Sequence, residues 1–496
     1  MTNSKSDNVS KPASLNKTLI SGLFWVLLAN LLVKPLWLLG IEVGVQNAVG
    51  TEMYGFYIGI FNLTYIFNIL LDLGVTNYNT RNIAQYPHLI SKHLSGILSI
   101  KLLLLALYVV VTFSVGALLG YDTQQFHLLA LLSFNQFLSS MILYLRSNFE
   151  GLLMFKWDSL LSVMDRVLMI AICGVMLWGP TRGSMTIFKF AYAQTAAYLI
   201  TATLALWVLV HKTKLRGLRW NKPFTLAILK KSLPFALLVL LMASYNRLDP
   251  VLLQLLSPDG AGDYNAGVYA GAFRLLDALT MIAYLVSVPL LPIFSKMTKK
   301  HEVNGELGET VRMMFSMMMV FAVTASCALA SMDNDLMTLF YDSNEADYAA
   351  VFRIVIFCII PISTTYVFGT LLTAAGKLKS LNIFALASLV INILVNILLI
   401  PSMGAKGSAF AALTAQMFMA VAQVVAAVKI FKLKPSIGYI LKMMVFALII
   451  VGCALCIPYL QWWLALSGVA IVAVGVAIAL RLIDLRSLFR IIKNEK

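Results

Sequence analysis

The stretch Gly55-Phe-Tyr57-Ile-Gly59-Ile-Phe61-Asn-Leu63 recurs as Gly267-Val-Tyr269-Ala-Gly271-Ala-Phe273-Arg-Leu275, shifted by 212 residues. Both copies lie inside long apolar runs. Under the same shift Asn62, Tyr65, Asn68 and Asp72 fall opposite Arg274, Asp277, Thr280 and Tyr284. These offsets keep each set within a sector of about 120° on a helix. Each copy is therefore an apolar helix of membrane length with one polar stripe, a pattern expected where a helix faces protein or water instead of lipid.

The rest of the chain has the same character. Of its 496 residues 60% are hydrophobic and only 12% charged, about half the charged share of a soluble domain. Apolar runs near the roughly 20 residues needed to cross a bilayer recur throughout. They place about fourteen spans, near 18–40, 54–74, 94–119, 126–145, 159–178, 186–210, 233–256, 264–292, 311–331, 348–373, 381–401, 404–428, 436–459 and 461–482. The fold class is an all-α integral membrane protein. Residues 1–16 are polar and the run after them is too long for a signal-peptide core, so the first span is expected to stay in the mature protein.

Charge sets the orientation. Loops on the side of the termini hold Lys5, Lys11, Lys17, Arg81, Lys92, Arg146, Lys156, the basic 211–232 segment, Lys296, Lys299, Lys377 and the tail from Arg481. The opposite loops hold only Arg182, Lys189 and Lys406 as basic residues, among acids such as Glu42, Asp259, Asp263, Asp333 and Asp347. The positive-inside rule then puts both termini in the cytoplasm. The net charge of +16 resides in these short loops, which suits topology and anionic headgroups and argues against a nucleic-acid partner. Six spans separate the repeat copies, so the halves run parallel through the membrane. They define lobes over 1–215 and 216–430, with 431–496 as an appendix of two further spans and a tail.

Few ionisable residues remain within spans: Lys34, Asp72, Lys101, Asp165, Arg166, Arg247, Asp249, Arg274, Asp277 and Arg353. A charge at the bilayer centre costs roughly 2.5–3.5 kcal/mol, so a hydrated cavity between the lobes is expected to hold the deeper ones. Lys34, Arg247, Arg274 and Arg353 outnumber Asp249 and Asp277, and a net positive cavity suits phosphate or pyrophosphate. Each has a plainer reading: Arg274 and Asp277, three residues apart, can neutralise each other, Lys34 can snorkel, Arg353 can sit at the outer interface, and Lys101 and Arg166 can reach cytoplasmic headgroups. Pro250 disfavours helix at Asp249, and broken helices mark transporter sites, so Asp249 is the preferred coupling residue.

Other chemistry is disfavoured. There is no G-x-x-x-x-G-K-[ST] motif for ATP, no metal-binding spacing among the five histidines and no cofactor signature. The five cysteines lie in apolar runs and read as small packing residues. The longest loop is about 22 residues, too short for a catalytic domain, so the chain is not expected to be an enzyme.

Three stretches resemble the Wzx-type polysaccharide flippases: Val49-Gly-Thr-Glu-Met-Tyr-Gly55 with Asp72-Leu-Gly74, Gly267-Val-Tyr269 through Pro289, Pro292 and Ser295, and Asn396 through Pro401, Gly404 and Gly407 to Ala409. These patterns are spread over most of the chain. The resemblance implies the multidrug/oligosaccharidyl-lipid/polysaccharide (MOP) exporter superfamily, with alternating access and an undecaprenyl-pyrophosphate-linked oligosaccharide as substrate. By analogy with lipid II flippases in that superfamily, Lys34 and Arg274 would meet the pyrophosphate, while the second helix offers Asn62 where a basic residue is expected. An ion site would involve Asp249, Asn392, Asn396 and Thr414, with Asn396 where an acid is expected. Coupling to a proton or sodium ion would run through Asp249 or Asp277. The main alternative is a multidrug or small-molecule cation antiporter of the same fold, which the excess of cations disfavours. A membrane glycosyltransferase or ligase would need a larger outer loop.

Overall fold

In the computed structural model the described residues are 32–482, except 77–78, 81–82, 84–85, 87–89, 153, 181–182, 214–236, 238, 288–289, 300–305, 434–435 and 457–461. A π-helical turn, Leu36–Glu42, leads into α1 (Val43–Val49). Next come α2 (Thr51–Ile66), a 3-10 turn Phe67–Leu71, α3 (Ile90–Leu118), α4 (Thr123–Gly151), α5 (Phe155–Trp178) and α6 (Ile187–Thr213). The chain continues through α7 (Asp249–Leu256), α8 (Gly262–Ser287), α9 (Leu290–Lys299), α10 (Glu306–Ala330), α11 (Asp333–Phe340) and α12 (Glu345–Val355). The last helices are α13 (Ile359–Ala374), α14 (Leu378–Met403), α15 (Ala405–Phe431), α16 (Ile437–Leu455) and α17 (Trp462–Ala479). No strand occurs among the described residues.

Eleven helices among the described residues are long and apolar enough to span a membrane. Of the other three expected spans, those near 18–40 and 233–256 fall partly outside the described residues, and the last is the shorter apolar α17. The all-α membrane architecture read from the sequence is borne out.

The structure groups residues 32–41 with 67–213 in one compact unit, and 42–66 with 237–482 in another. In the first unit, the core of Ile97, Ile100, Leu104, Tyr144, Leu145, Phe149 and Leu161 joins α3, α4 and α5. A reciprocal cap starts α4: Asp122 accepts from the Gln125 backbone at 2.7 Å, and the Gln125 side chain accepts from the Asp122 backbone at 2.8 Å. This satisfies two donors that the first turn would otherwise leave bare.

The second unit shows how lipid inverts the usual helix pattern. On α14, Leu381, Ala385, Ser388, Asn392, Asn396 and Ile400 are buried, at steps of three, four or their sums along one face. The opposite face exposes Ile383, Leu386, Val390, Leu394, Ile397 and Leu398. Polar groups turn inward because hydrocarbon cannot hydrogen-bond them. The α14–α15 turn is at Gly404, with φ of +53° and Asn265 so near that a Cβ would lie 2.6 Å from its Oδ1. Among the cysteines, Cys173, Cys327 and Cys358 are buried, whereas Cys453 is half-buried and Cys456 exposed, so the packing role expected of all five does not extend to Cys456.

The repeated glycines of the second unit mark close backbone contact. A Cβ on Gly55 would lie 1.7 Å from the Asp263 carbonyl oxygen, and one on Gly267 would lie 2.0 Å from the Thr51 carbonyl oxygen. The matching glycines thus let α2 and α8 approach until side chains no longer separate them. Gly267→Val forces the two helices apart, and overpacking of this kind typically costs about 1–3 kcal/mol. The purified variant should melt earlier than wild type, whereas Gly452→Ala, whose Cβ meets open space, should not. Equal melting midpoints for all three proteins would show that the seam is not under steric constraint.

Candidate functional site

Asp249 is the most completely surrounded of the anticipated residues. The 239–247 helical segment bends at Leu248, and α7 restarts at Asp249 with Pro250 in its first turn. Proline lacks the N–H that would bond back to the preceding turn, and its ring crowds the residue before it. The bend delivers the Asp249 carboxylate to α14. Asn392 and Asn396 each donate an Nδ2 hydrogen to its Oδ1 at 2.9 Å, and the Tyr269 hydroxyl donates to its Oδ2 at 2.8 Å. Asn392 and Asn396 sit one turn apart, which aims both amides at one atom.

Asp249, Asn392 and Asn396 are thus brought together as expected, with Tyr269 as a fourth member. Thr414 is not with them; it is exposed, and its hydroxyl donates to Phe410 of its own helix at 2.7 Å. Ser408, on the same α15, is buried.

Arg274, on the polar stripe of α8, is buried at 3% exposure. Its Nε lies 3.3 Å from Glu42 Oε2, its Nη1 donates to the Tyr341 hydroxyl at 2.8 Å, and its guanidinium stands 4.9 Å from the centroid of the Tyr54 ring. Tyr341 donates onward to the Gly271 carbonyl at 3.1 Å and stacks on Tyr348 with ring centroids 4.1 Å apart. The Gln46 amide donates to the Tyr348 hydroxyl at 2.8 Å and to the Gly267 carbonyl at 3.0 Å. Glu42, counted with the outer loops by charge, is instead the last residue of the π-helical turn and the counter-charge of Arg274.

The i,i+3 pairing of Arg274 with Asp277 does not form. Asp277 Oδ2 takes Arg247 Nη1 at 3.5 Å, and the Arg247 guanidinium stands 5.6 Å from the Tyr65 ring centroid. The side chain of Arg247 is 37% exposed and that of Asp277 29%. Arg247 is therefore held in place and still open to an incoming anion, which Arg274 is not.

Arg353 pairs with the buried Asp333 at 2.5 Å and is otherwise exposed. Asn62 is buried; its amide donates to the Ile58 carbonyl at 2.8 Å, and its Oδ1 has no hydrogen-bond partner among the described residues.

In the first unit Lys34 is half-buried, with Arg166, Arg146 and Asp165 within electrostatic range. Arg166 donates to the Tyr198 hydroxyl at 3.1 Å and stands 5.5 Å from the Trp37 ring centroid. Lys101 does not reach the headgroups as anticipated; it is fully buried. Its Nζ donates to Asp72 at 2.6 Å, to the Ser140 hydroxyl at 2.8 Å and to the Leu71 carbonyl at 2.9 Å. The Thr76 hydroxyl also donates to Asp72. Leu71 ends the 3-10 turn, and the chain then passes Leu73 and Gly74 at positive φ, so its carbonyl has no helical donor ahead. Lys101 supplies one. No local sequence pattern records this contact, because Asp72, in the turn after Leu71, and Lys101, on α3, lie 29 positions apart.

Removing one member of a buried pair leaves the other uncompensated, typically at a cost of about 3–5 kcal/mol. Lys101→Met should strongly lower the thermal midpoint, and Lys101→Met with Asp72→Asn should recover part of the loss. A single variant as stable as wild type would show that the ammonium does not support the turn.

Residues 19–298 match the family model described as polysaccharide biosynthesis protein, and the chain belongs to that family. Comparison with curated proteins gives no match. Among solved structures, the lipid II flippase MurJ in an inward closed conformation aligns with a TM-score of 0.67 and 14% identity, covering 95% of this chain and 99% of that one. An inward-facing multidrug resistance MATE family transporter of the MOP superfamily aligns at 0.64 with 15% identity, covering 80% and 94%. A MOP superfamily transporter from Pyrococcus furiosus, described as having a binding pocket of reversed polarity, aligns at 0.56 with 14% identity, covering 87% and 100%. The fold is that of the MOP superfamily, as the sequence resemblance implied.

Proposed function

We propose that this protein is a flippase that moves an undecaprenyl-pyrophosphate-linked oligosaccharide, such as an O-antigen unit of lipopolysaccharide, from the cytoplasmic to the periplasmic leaflet by alternating access. It would reside in the bacterial inner membrane with both termini cytoplasmic, its lobes over 1–215 and 216–430 and its appendix over 431–496. The observation that carries the reading is the conjunction of polysaccharide-biosynthesis membership with a fold shared almost end to end with a lipid II flippase. The open guanidinium of Arg247 supports it. Held beside Asp277 and Tyr65, it can exchange a carboxylate 3.5 Å away for the more highly charged pyrophosphate. Lys34, half-buried among basic neighbours, is a second candidate anion contact. Arg274 would contribute only after Glu42 and Tyr341 release it.

Asp249 is the candidate for coupling to a proton or sodium gradient. Its carboxylate is ringed by donors, which stabilise the ionised form, so uptake of a proton or a cation would have to turn at least one of them away. A sodium ion would require Asn392 and Asn396 to turn their amide oxygens inward, and Asn396 Oδ1 is buried with no partner among the described residues to give up.

Reconstitution of the full chain in liposomes with a fluorescent polyprenyl-pyrophosphate sugar tests the reading. Wild type should flip the lipid, and an imposed proton or sodium gradient should accelerate it. Arg247→Ala should slow flipping by about tenfold, the worth of one charge-assisted contact. Efflux of an organic cation with no movement of the lipid would replace the flippase by the multidrug antiporter.

Asp249→Asn should remove the response to the gradient while leaving slow, undriven flipping. A gradient response equal to wild type in that variant would move coupling elsewhere.

A further inference from the structure

At one end of the second unit a pocket of about 430 Å³ opens between the start of α8, the start of α12 and the α14–α15 turn. Tyr264, Asn265, Asp347, Ser402 and Lys406 supply its polar lining, and Val268, Val351, Met403 and Ala405 its apolar floor. The charge asymmetry of the loops assigns this end to the periplasm. None of these residues takes part in the Asp249, Arg274 or Arg247 clusters.

The walls are fixed before any ligand arrives. Tyr264 donates its hydroxyl to Asp347 Oδ2 at 2.5 Å. Asn265 donates to the Ser257 hydroxyl at 3.2 Å and accepts from the Ala405 backbone at 3.2 Å, across the turn at Gly404, whose missing Cβ leaves room for it. Capacity remains on the open side. Lys406 makes no salt bridge among the described residues, the second oxygen of Asp347 accepts nothing there, and Ser402 gives its one hydrogen to Leu399 but keeps its lone pairs.

A carboxylate acceptor, an ammonium donor, a hydroxyl acceptor and a phenol ring around a half-apolar floor match a ring bearing several hydroxyls and an apolar face. The volume lies within the range of small-ligand pockets. One positive and one negative charge give the pocket no net charge, so it does not favour pyrophosphate, which Asp347 would repel.

We infer that the Tyr264–Asp347–Lys406 pocket is a sugar-binding subsite that takes a neutral hexose or N-acetylhexosamine of the glycan on the periplasmic face. The assignment rests on the flippase reading for the class of ligand, and on the pocket alone for the place. Asp347 would accept from one hydroxyl and Lys406 donate to its neighbour, so a sugar with adjacent equatorial hydroxyls fits best.

The test uses the full chain in lipid nanodiscs and saturation-transfer NMR with glucose, galactose, N-acetylglucosamine and N-acetylgalactosamine as probes. At least one should receive saturation. Binding should weaken about tenfold in Asp347→Asn and in Lys406→Met, consistent with loss of one charged hydrogen bond, and stay unchanged in Lys377→Met, which lies outside the pocket. The amide oxygen in Asp347→Asn can still accept from Tyr264, and Lys406 is exposed, so both variants should fold; unchanged helical circular dichroism would check this.

No saturation of any sugar, equal signals in wild type and both variants, or displacement of the sugar by inorganic pyrophosphate would overturn the assignment. Flipping of lipid-linked glycan by the same preparation, measured separately, divides the two readings. Flipping without sugar contact removes the subsite alone, and sugar contact without flipping supports the subsite while removing the flippase.

Discussion

A charge inside a bilayer-spanning helix has no water to fall back on, so it must find its counter-charge or its donors within the protein. The described interior follows this constraint. Lys101 takes Asp72, Arg274 takes Glu42, Arg247 takes Asp277, and Asp249 takes two amides and a phenol. Each partnership ties together segments distant in sequence. The apolar remainder of the same helices faces lipid and specifies little, because hydrocarbon rewards one apolar face as much as another. Where the helices meet is thus decided by a handful of polar contacts and by the glycines that permit close approach.

The partnerships differ in how much they leave available. Arg274 is enclosed by tyrosines and a carboxylate, whereas Arg247 retains an open side. Insertion energetics value the two alike, since both are arginines at membrane depth. Function separates them: an enclosed cation holds structure until something moves, and an open one can meet a ligand at once. The same distinction separates Lys101 from Lys34, the first saturated by three acceptors and the second half-buried beside other cations.

Architecture was legible in the sequence because span length and loop charge are one-dimensional signals. The polar stripe on the repeat was legible for the same reason, and so was the break before Pro250. The pairing of Asp249 with Asn392 and Asn396 came through the family resemblance, not from spacing. Tyr269 was visible as a repeat residue without hint of its bond to Asp249. Thr414, carried over from the resemblance, lies on the exposed face of α15, whereas Ser408, six residues earlier, is buried. Glu42 and Tyr341 were missed as partners of Arg274 because they lie 232 and 67 residues from it, and no local pattern records contacts at such range.

The π-helical turn at Leu36–Glu42 carries one further implication. Such a turn accommodates a residue beyond the ordinary helical count, and each residue of an α-helix advances the phase by about 100°. Deleting a single residue there would let the helix relax to regular form while keeping Trp37 and Lys34 on a continuous cylinder. Everything downstream, beginning with Glu42, would then keep nearly the azimuth it has now, because the wide turn had absorbed the extra residue. Single-residue length changes in related sequences should therefore collect in this short turn more than in its regular helical surroundings, where one residue rotates all that follows.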